Sequence, residues 1–347
     1  MDWWGSVFLI GVPVMLLLLA VGPFLLPEFK DPNAGRVDVF SAGLSLACIL
    51  SIIYRVKRLA QDGAGWVPAL AIAAGLAVGA VFVRRQLTLA DPLIDMRLFR
   101  VPAFSVSLAS YTLGTFVAFG VFAFVAQYLQ LVLGLSPLAA GLWTTPFALS
   151  FIVGSLVTPR MTRHARPAFV MAGGLALAAV GFALFTQVGT RSGLAVLVAS
   201  LVAYSLGLAP TFTLATDMIV GSAPPERAGA ASALSETGSE LGGALGIAII
   251  GSLGTALYRG ELAGAVSSGI PREAVEAARS TLGTAVAVAE RLPYDAGAEL
   301  LDAARTAFTD SLRLSGIVSA CVVAVAAVLV AVLLRDVRTS PSEQSAE

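Results

Sequence analysis

The chain has 347 residues, of which 57% are hydrophobic and 13% are charged, and its 22 basic residues equal its 22 acidic ones. A soluble domain could not keep so apolar a composition hydrated, so the composition indicates a membrane protein. The chain has no net positive charge that would attract nucleic acid. Cys48 and Cys321 lie in apolar runs, and the single histidine is His164. These residues have no spacing typical of a metal site or a nucleophile, so we expect no metal, no cofactor and no enzyme activity.

Nine apolar runs are long enough, or nearly so, to cross a hydrocarbon core of about 30 Å as helices. They cover residues 4–26, 39–54, 66–83, 104–133, 138–158, 168–188, 193–220, 228–258 and 314–334. The second run is short, and the eighth is rich in small residues. The pattern predicts an all-α, polytopic membrane helix bundle.

Basic residues in the short connections predict the orientation. If the connection after the first run is cytoplasmic, most of these residues fall on that side, where membrane proteins carry an excess of Lys and Arg. We therefore expect a multi-pass plasma-membrane protein with an external N-terminus and a cytoplasmic tail at 336–347. Because no basic segment or cleavage site precedes the first run, it is not typical of a signal peptide. The odd number of runs suggests that further helices precede residue 1.

The connection at 259–313 is much longer than the others and would lie outside the cell. Apolar residues recur there at helical spacing in two stretches, from Ala274 to Leu282 and from Leu300 to Leu312. This pattern predicts two amphipathic helices on the outer surface, which either have a partner or are simply solvated.

Three motifs carry a resemblance to a known family. They are QYLQ at 127–130 followed by GLSPLAAGL at 134–142, DPLIDMRLF at 91–99, and PPERAGAASA at 224–233. Together they resemble the fourteen-helix drug:proton antiporters of the major facilitator superfamily. The long connection after Tyr258-Arg259 is similar to that of the quaternary-ammonium-compound efflux branch.

The resemblance implies a domain organisation as well as a fold. Residues 1–26 would be the last helix of the N-terminal bundle, and 39–83 would be two linker transmembrane helices. Residues 104–335 would form the C-terminal six-helix bundle, including the outer connection at 259–313. The first five helices of the family, with the antiporter motif of the fifth, have no counterpart in this sequence.

The resemblance also implies a function, namely proton-coupled efflux of amphipathic, cationic drugs across the plasma membrane. Two helix bundles would rock about a central site, with a small lipophilic cation, protons and the bilayer as partners. Two alternatives stay open: a truncated fragment of such an exporter that cannot transport by itself, and an exporter of a natural product.

The eighth run carries Glu236 and Glu240, which lie on one face of a helix because they are four residues apart. An intramembrane charge costs roughly 2.5–3.5 kcal/mol on insertion scales, so we expect a buried pair that couples protons or binds a cation. A structural role in a water-exposed stretch is the alternative. Gly238, Gly242 and Gly246 lie about 200° round the helix and predict a face that packs closely on another helix.

Asp217, near the cytoplasmic end of the seventh run, either pairs with Arg227 or relays protons. A lipophilic cation would also need aromatic faces and adaptable apolar walls in its pocket. Aromatic side chains of membrane helices can instead face lipid or neighbouring helices, which is the alternative for each residue named next. The candidate pocket residues are Gln127, Tyr128, Trp143, Thr144 and Phe147, with Phe116, Phe119 and Thr145 as further aromatic and polar points.

Overall fold

The computed structural model describes residues 9, 11–25, 38–62, 66–89, 92, 94–190, 193–224, 227–265 and 269–335, and these residues form helices without any strand. The helices are α1 (Gly11–Leu25), α2 (Val39–Asp62), α3 (Trp66–Thr88), α4 (Pro102–Gln127), α5 (Pro137–Thr162), α6 (Pro167–Leu184), α7 (Leu194–Gly221), α8 (Ala228–Ala265), α9 (Arg272–Ala278), α10 (Leu282–Ala289) and α11 (Tyr294–Leu333). Helix α4 continues into a π-helical turn at Tyr128–Val132.

Among the described helices, six are long and apolar enough to cross a membrane: α4, α5, α6, α7, α8 and α11. The predicted all-α membrane helix bundle is therefore confirmed, and the chain is a multi-pass membrane protein. Helix α1 lies in one compact unit, Met1–Val37, whereas all the other helices belong to a second unit, Asp38–Glu347.

The second unit has its core between the long helices. Helix α4 packs along α8, α6 packs along α7, and α11 contacts α4, α6 and α8. Helix α5 packs mainly on α7, and many of its apolar side chains, including Leu142 and Leu156, are exposed. Such an apolar face suits a helix that borders lipid or another helix bundle.

The region 259–313 differs from the sequence prediction. Its first amphipathic stretch forms the two short helices α9 and α10, and its second stretch is the beginning of α11, a single helix of 40 residues. The predicted separate second helix is therefore wrong. Pro293 directly precedes α11, where proline is tolerated, and no proline interrupts the helix before Leu333. The apolar stripe there, including Leu300 and Leu312, is buried rather than presented to a surface.

Helices α2 and α3 are joined by a polar network at one end. Asp38 accepts hydrogen bonds from the Ser41 hydroxyl (2.7 Å) and from Arg85 (2.9 Å), and the Gln86 side chain donates to the Ser41 hydroxyl (2.8 Å). The hydrogen bonds from Ser41, together with the Arg85 guanidinium, lower the pKa of Asp38 to about 2, so its carboxylate stays charged at neutral pH. The Gln86 side chain also accepts a bond from the Ile94 backbone N–H (3.1 Å), which ties the connection before α4 to this pair.

Candidate functional site

The contact between α4 and α8 depends on glycines. A Cβ atom on Gly242 would collide with the Thr112 carbonyl oxygen, and one on Gly246 would collide with the Phe116 carbonyl oxygen. Gly238 lies one turn earlier on α8, where a Cβ would come within 2.7 Å of the Thr112 hydroxyl. The absence of side chains thus lets the two backbones approach closely, and it fixes which face of α8 is covered by α4.

A cavity of about 550 Å³ lies between α4, α8, α11 and the segment before α10. Its lining includes Phe124 and Gln127 of α4, Thr255 and Arg259 of α8, and Phe308 of α11. A cavity of this volume, with mostly apolar walls and a few polar groups, is of the size that holds drug-like molecules.

Two hydrogen bonds hold the walls of this cavity together. The Ser311 hydroxyl of α11 donates to the Gly254 carbonyl of α8 (2.9 Å), and the Tyr258 hydroxyl donates to the Ala278 carbonyl at the end of α9 (3.0 Å). These hydrogen bonds, each from a side-chain hydroxyl to a backbone carbonyl, fix the helices around the cavity to one another.

Glu236 and Glu240 lie on α8, and neither side chain is covered by another described helix. Their predicted role in proton coupling or cation binding stays a prediction. Helix α4 covers the opposite, glycine face of α8, and this leaves the carboxylates open. Their face continues directly into the cavity, because Ala244 and Gly251, which line it, lie four and eleven residues after Glu240. Ala244 is about 6 Å further along the helix axis than Glu240.

Asp217 is exposed on α7 and does not pair with Arg227. Arg227 instead forms an ion pair with Asp95, in the connection before α4, so the predicted pair with Asp217 is wrong. This contact joins two of the sequence motifs, at 91–99 and 224–233. A smaller cavity of about 130 Å³ lies beside it, lined in part by Gln86 and Arg97. Sequence reasoning missed the role of Asp95, although its place in a motif was a signal.

Tyr128 is not among the residues that line the 550 Å³ cavity. Its side chain is fully buried, and its hydroxyl donates a hydrogen bond to the carbonyl of Gly189, in the connection after α6. A Cβ atom on Gly193 would collide with the same hydroxyl, so the connection between α6 and α7 closes tightly around it. The structure thus gives Tyr128 a packing contact, and its predicted contact with substrate stays a prediction.

The other predicted pocket residues occupy different places. Gln127 lines the 550 Å³ cavity. Trp143 is exposed on α5, the Thr144 hydroxyl donates to the Gly141 carbonyl (2.8 Å), and the Phe147 ring packs between α4 and α7 against two other rings. The structure thus brings Gln127 to the cavity and leaves Trp143, Thr144 and Phe147 on α5, outside its lining.

No group of three or more His, Cys, Asp or Glu side chains lies in a position to hold a metal ion in the parts of the chain that the structure describes. The described site consists of carboxylates, an apolar cavity and a guanidinium, which together can bind ions and organic molecules.

The sequence model of the Major Facilitator Superfamily matches residues 2–247. The chain belongs to this superfamily. It is 40% identical over 332 residues to the multidrug efflux pump LfrA of Mycolicibacterium smegmatis, covering 96% of this chain and 66% of that one. It is 31% identical over 311 residues to the methyl viologen resistance protein SmvA of Salmonella typhimurium, covering 88% and 62%. It is also 29% identical over 351 residues to the tetracenomycin C resistance and export protein of Streptomyces glaucescens, covering 99% and 65%.

A solved structure shares the fold. A bacterial homologue of the human lysosomal transporter Spinster, in an inward-facing and unoccupied conformation, aligns with a TM-score of 0.52 and 19% identity, over 86% of this chain and 68% of that one. The chain spans just under two thirds of the length of the curated relatives described above. Family and relatives point to a transporter rather than an enzyme, as the sequence predicts.

Proposed function

We propose that the chain belongs to a proton-coupled exporter of amphipathic, cationic compounds in the plasma membrane. The observation that carries this proposal is the face of α8 on which Glu236 and Glu240 lead into a cavity of drug-like size. Its membership of the superfamily and its likeness to efflux pumps agree with the same activity.

The carboxylates would couple the two fluxes by competition for one site. An ionised glutamate attracts an organic cation, whereas a protonated glutamate is neutral and does not. A cation bound at Glu240 is therefore released when a proton takes its place, and the site binds cation again after that proton leaves. Glu236 would act on the same face one turn earlier, and Asp217 would relay protons at the end of α7.

The proposal includes an arrangement in the membrane. Residues 1–26 would complete an N-terminal bundle, 39–83 would be linker helices and 104–335 would be the C-terminal bundle. The tail at 336–347 would be cytoplasmic, because arginines concentrate in the connections on that side.

Export can be tested by following ethidium, a fluorescent lipophilic cation, in cells that express this chain, with and without a protonophore. We expect extrusion that stops when the proton gradient collapses. Glu240→Gln and Glu236→Gln should each reduce extrusion strongly, since Gln cannot exchange a proton for a cation. Glu273→Gln is the matched control, because Glu273 is exposed on α9 and does not line the 550 Å³ cavity.

Two results would contradict parts of the proposal. If the double variant, Glu236→Gln with Glu240→Gln, extruded ethidium at the gradient-dependent rate of the unsubstituted chain, the glutamates would have no coupling role. Absence of extrusion by a chain that is inserted in the membrane would support the transport-incompetent fragment. Export of a natural product is a second candidate, which the similarity to the tetracenomycin C export protein favours, and extrusion of tetracenomycin C but not of ethidium would support it.

A further inference from the structure

Helix α8 carries opposite charges on either side of the cavity. Glu240 lies about one turn before the first lining residue of α8, Ala244, and Arg259 is its last lining residue. Fifteen residues separate Ala244 from Arg259, so the lined part of α8 is about 22 Å long. A molecule along this face would have carboxylates at one end and a guanidinium at the other.

The wall between the charged ends is suited to an apolar body. The rings of Phe124 and Phe308 lie 5.7 Å apart between their centroids, and both line the cavity. The hydroxyl of Thr255 and the amide of Gln127 are neutral polar groups on the same wall. Aromatic faces accept both apolar groups and cations, so the rings alone do not decide which end of a ligand enters.

We propose that Arg259 is a specificity-determining residue, which admits the apolar body of an elongated amphipath and rejects a second cationic group at that end of the cavity. The ligand would be a single-headed organic cation, with its charged group towards Glu240 and its apolar chain towards Arg259. This inference rests on the proposed function, and it adds the direction in which the substrate lies.

Repulsion between like charges sets the size of the expected effect. Two like charges within several ångströms of each other repel appreciably in a cavity that water reaches only in part, and the repulsion falls with the effective dielectric constant. Because the cavity is open on one side, we expect removal of the Arg259 charge to tighten binding of a doubly charged ligand by about five-fold rather than by orders of magnitude.

The test is displacement of bound ethidium from the full chain in lipid nanodiscs by two matched compounds. One is hexadecyltrimethylammonium, and the other is the same chain with a second trimethylammonium group at its other end. Arg259→Gln should tighten binding of the doubly charged compound by about five-fold and change that of the singly charged one by less than about two-fold. Arg259→Lys, which keeps the charge, should preserve the preference for the singly charged compound. Arg291→Gln, which removes an exposed charge outside the cavity, should leave both affinities unchanged.

A variant with an added charge gives the converse test if Arg259→Gln does not fold. Thr255→Arg places a second positive charge on the exposed lining one turn before Arg259, and it should weaken binding of the doubly charged compound more than that of the singly charged one. If either variant changed the affinities of the two compounds by the same factor, the inference would be overturned. The proposed function would still stand if ethidium binding depended on Glu240. No cation binding by the unsubstituted chain would overturn both.

Discussion

Two fully buried tyrosines differ in whether the hydroxyl has a partner. The Tyr128 hydroxyl donates to the Gly189 carbonyl, whereas the Tyr204 hydroxyl, among the described residues, has no hydrogen-bond partner. The Tyr204 ring stacks on the Phe182 ring, with 4.5 Å between their centroids. At Tyr204 the ring therefore contributes to stability and the hydroxyl does not, because an unpaired buried polar group is unfavourable.

The same chemical change should have opposite results at these two sites. Tyr128→Phe should lower the free energy of unfolding by about 1 kcal/mol, because it removes a hydrogen bond and leaves the Gly189 carbonyl without that donor. Tyr204→Phe should leave stability unchanged or raise it. Thermal unfolding of the purified variants in one detergent measures both, and equal losses would show that the Tyr128 hydrogen bond is not what matters.

The sequence could not distinguish these roles at the level of single residues. Tyr128 belongs to a motif and has an aromatic ring suited to a cation, so a place in the substrate pocket was a reasonable prediction. Its partner Gly189 is 61 residues away, and nothing in the local pattern indicates that contact. Gln127, one position earlier and about 100° round the helix, lines the cavity.

At the scale of elements, the contact between α4 and α8 is sensitive to a single methyl group. Gly246→Ala would force Cβ into the Phe116 carbonyl, and overpacking of this kind costs about 1–3 kcal/mol. Gly260→Ala is the control in the same helix, because nothing lies within 4 Å of a Cβ there. We expect a lower unfolding temperature for the first variant and no loss for the second, since alanine is the better helix former. A similar loss in both, or no loss in either, would show that the close contact with Phe116 does not control the result.

Hydropathy alone was enough to predict the long helices but not their ends. The six described membrane-length helices overlap six of the predicted apolar runs, because a segment crossing lipid must satisfy its backbone internally as a helix. The beginning of α11 was predicted as a separate helix because Arg305 and Asp310 interrupt its apolarity, although they do not interrupt the helix. Arg305 donates to the Leu131 carbonyl at the end of the π-helical turn (3.1 Å), so this charge is used for packing between elements.

At the scale of the whole chain, the arrangement of the motifs could not be predicted from their spacing. Asp95 and Arg227 are 132 residues apart, and only folding of α4 to α7 between them brings them together. The face of α8 that stays open likewise depends on where α4 packs. Spacing predicted that the glutamates and the glycines lie on different faces, but not that the carboxylates are exposed.

The Asp95–Arg227 ion pair connects the segment before α4 to the start of the helix that carries the glutamates, and α2 also packs on that helix. The Arg227 side chain is 46% exposed and that of Asp95 is 20% exposed, so the pair should contribute no more than about 1 kcal/mol. Asp95→Asn and Arg227→Gln should each lower stability slightly, and the double variant should lose less than the sum of the two. Unfolding temperatures at low and high salt measure this coupling, which salt should weaken. Exchange of the two charges, Asp95→Arg with Arg227→Asp, should restore most of the lost stability. If the losses of the single variants simply add in the double variant, the two side chains act independently. The start of α8 would then be held by its contact with α2 alone.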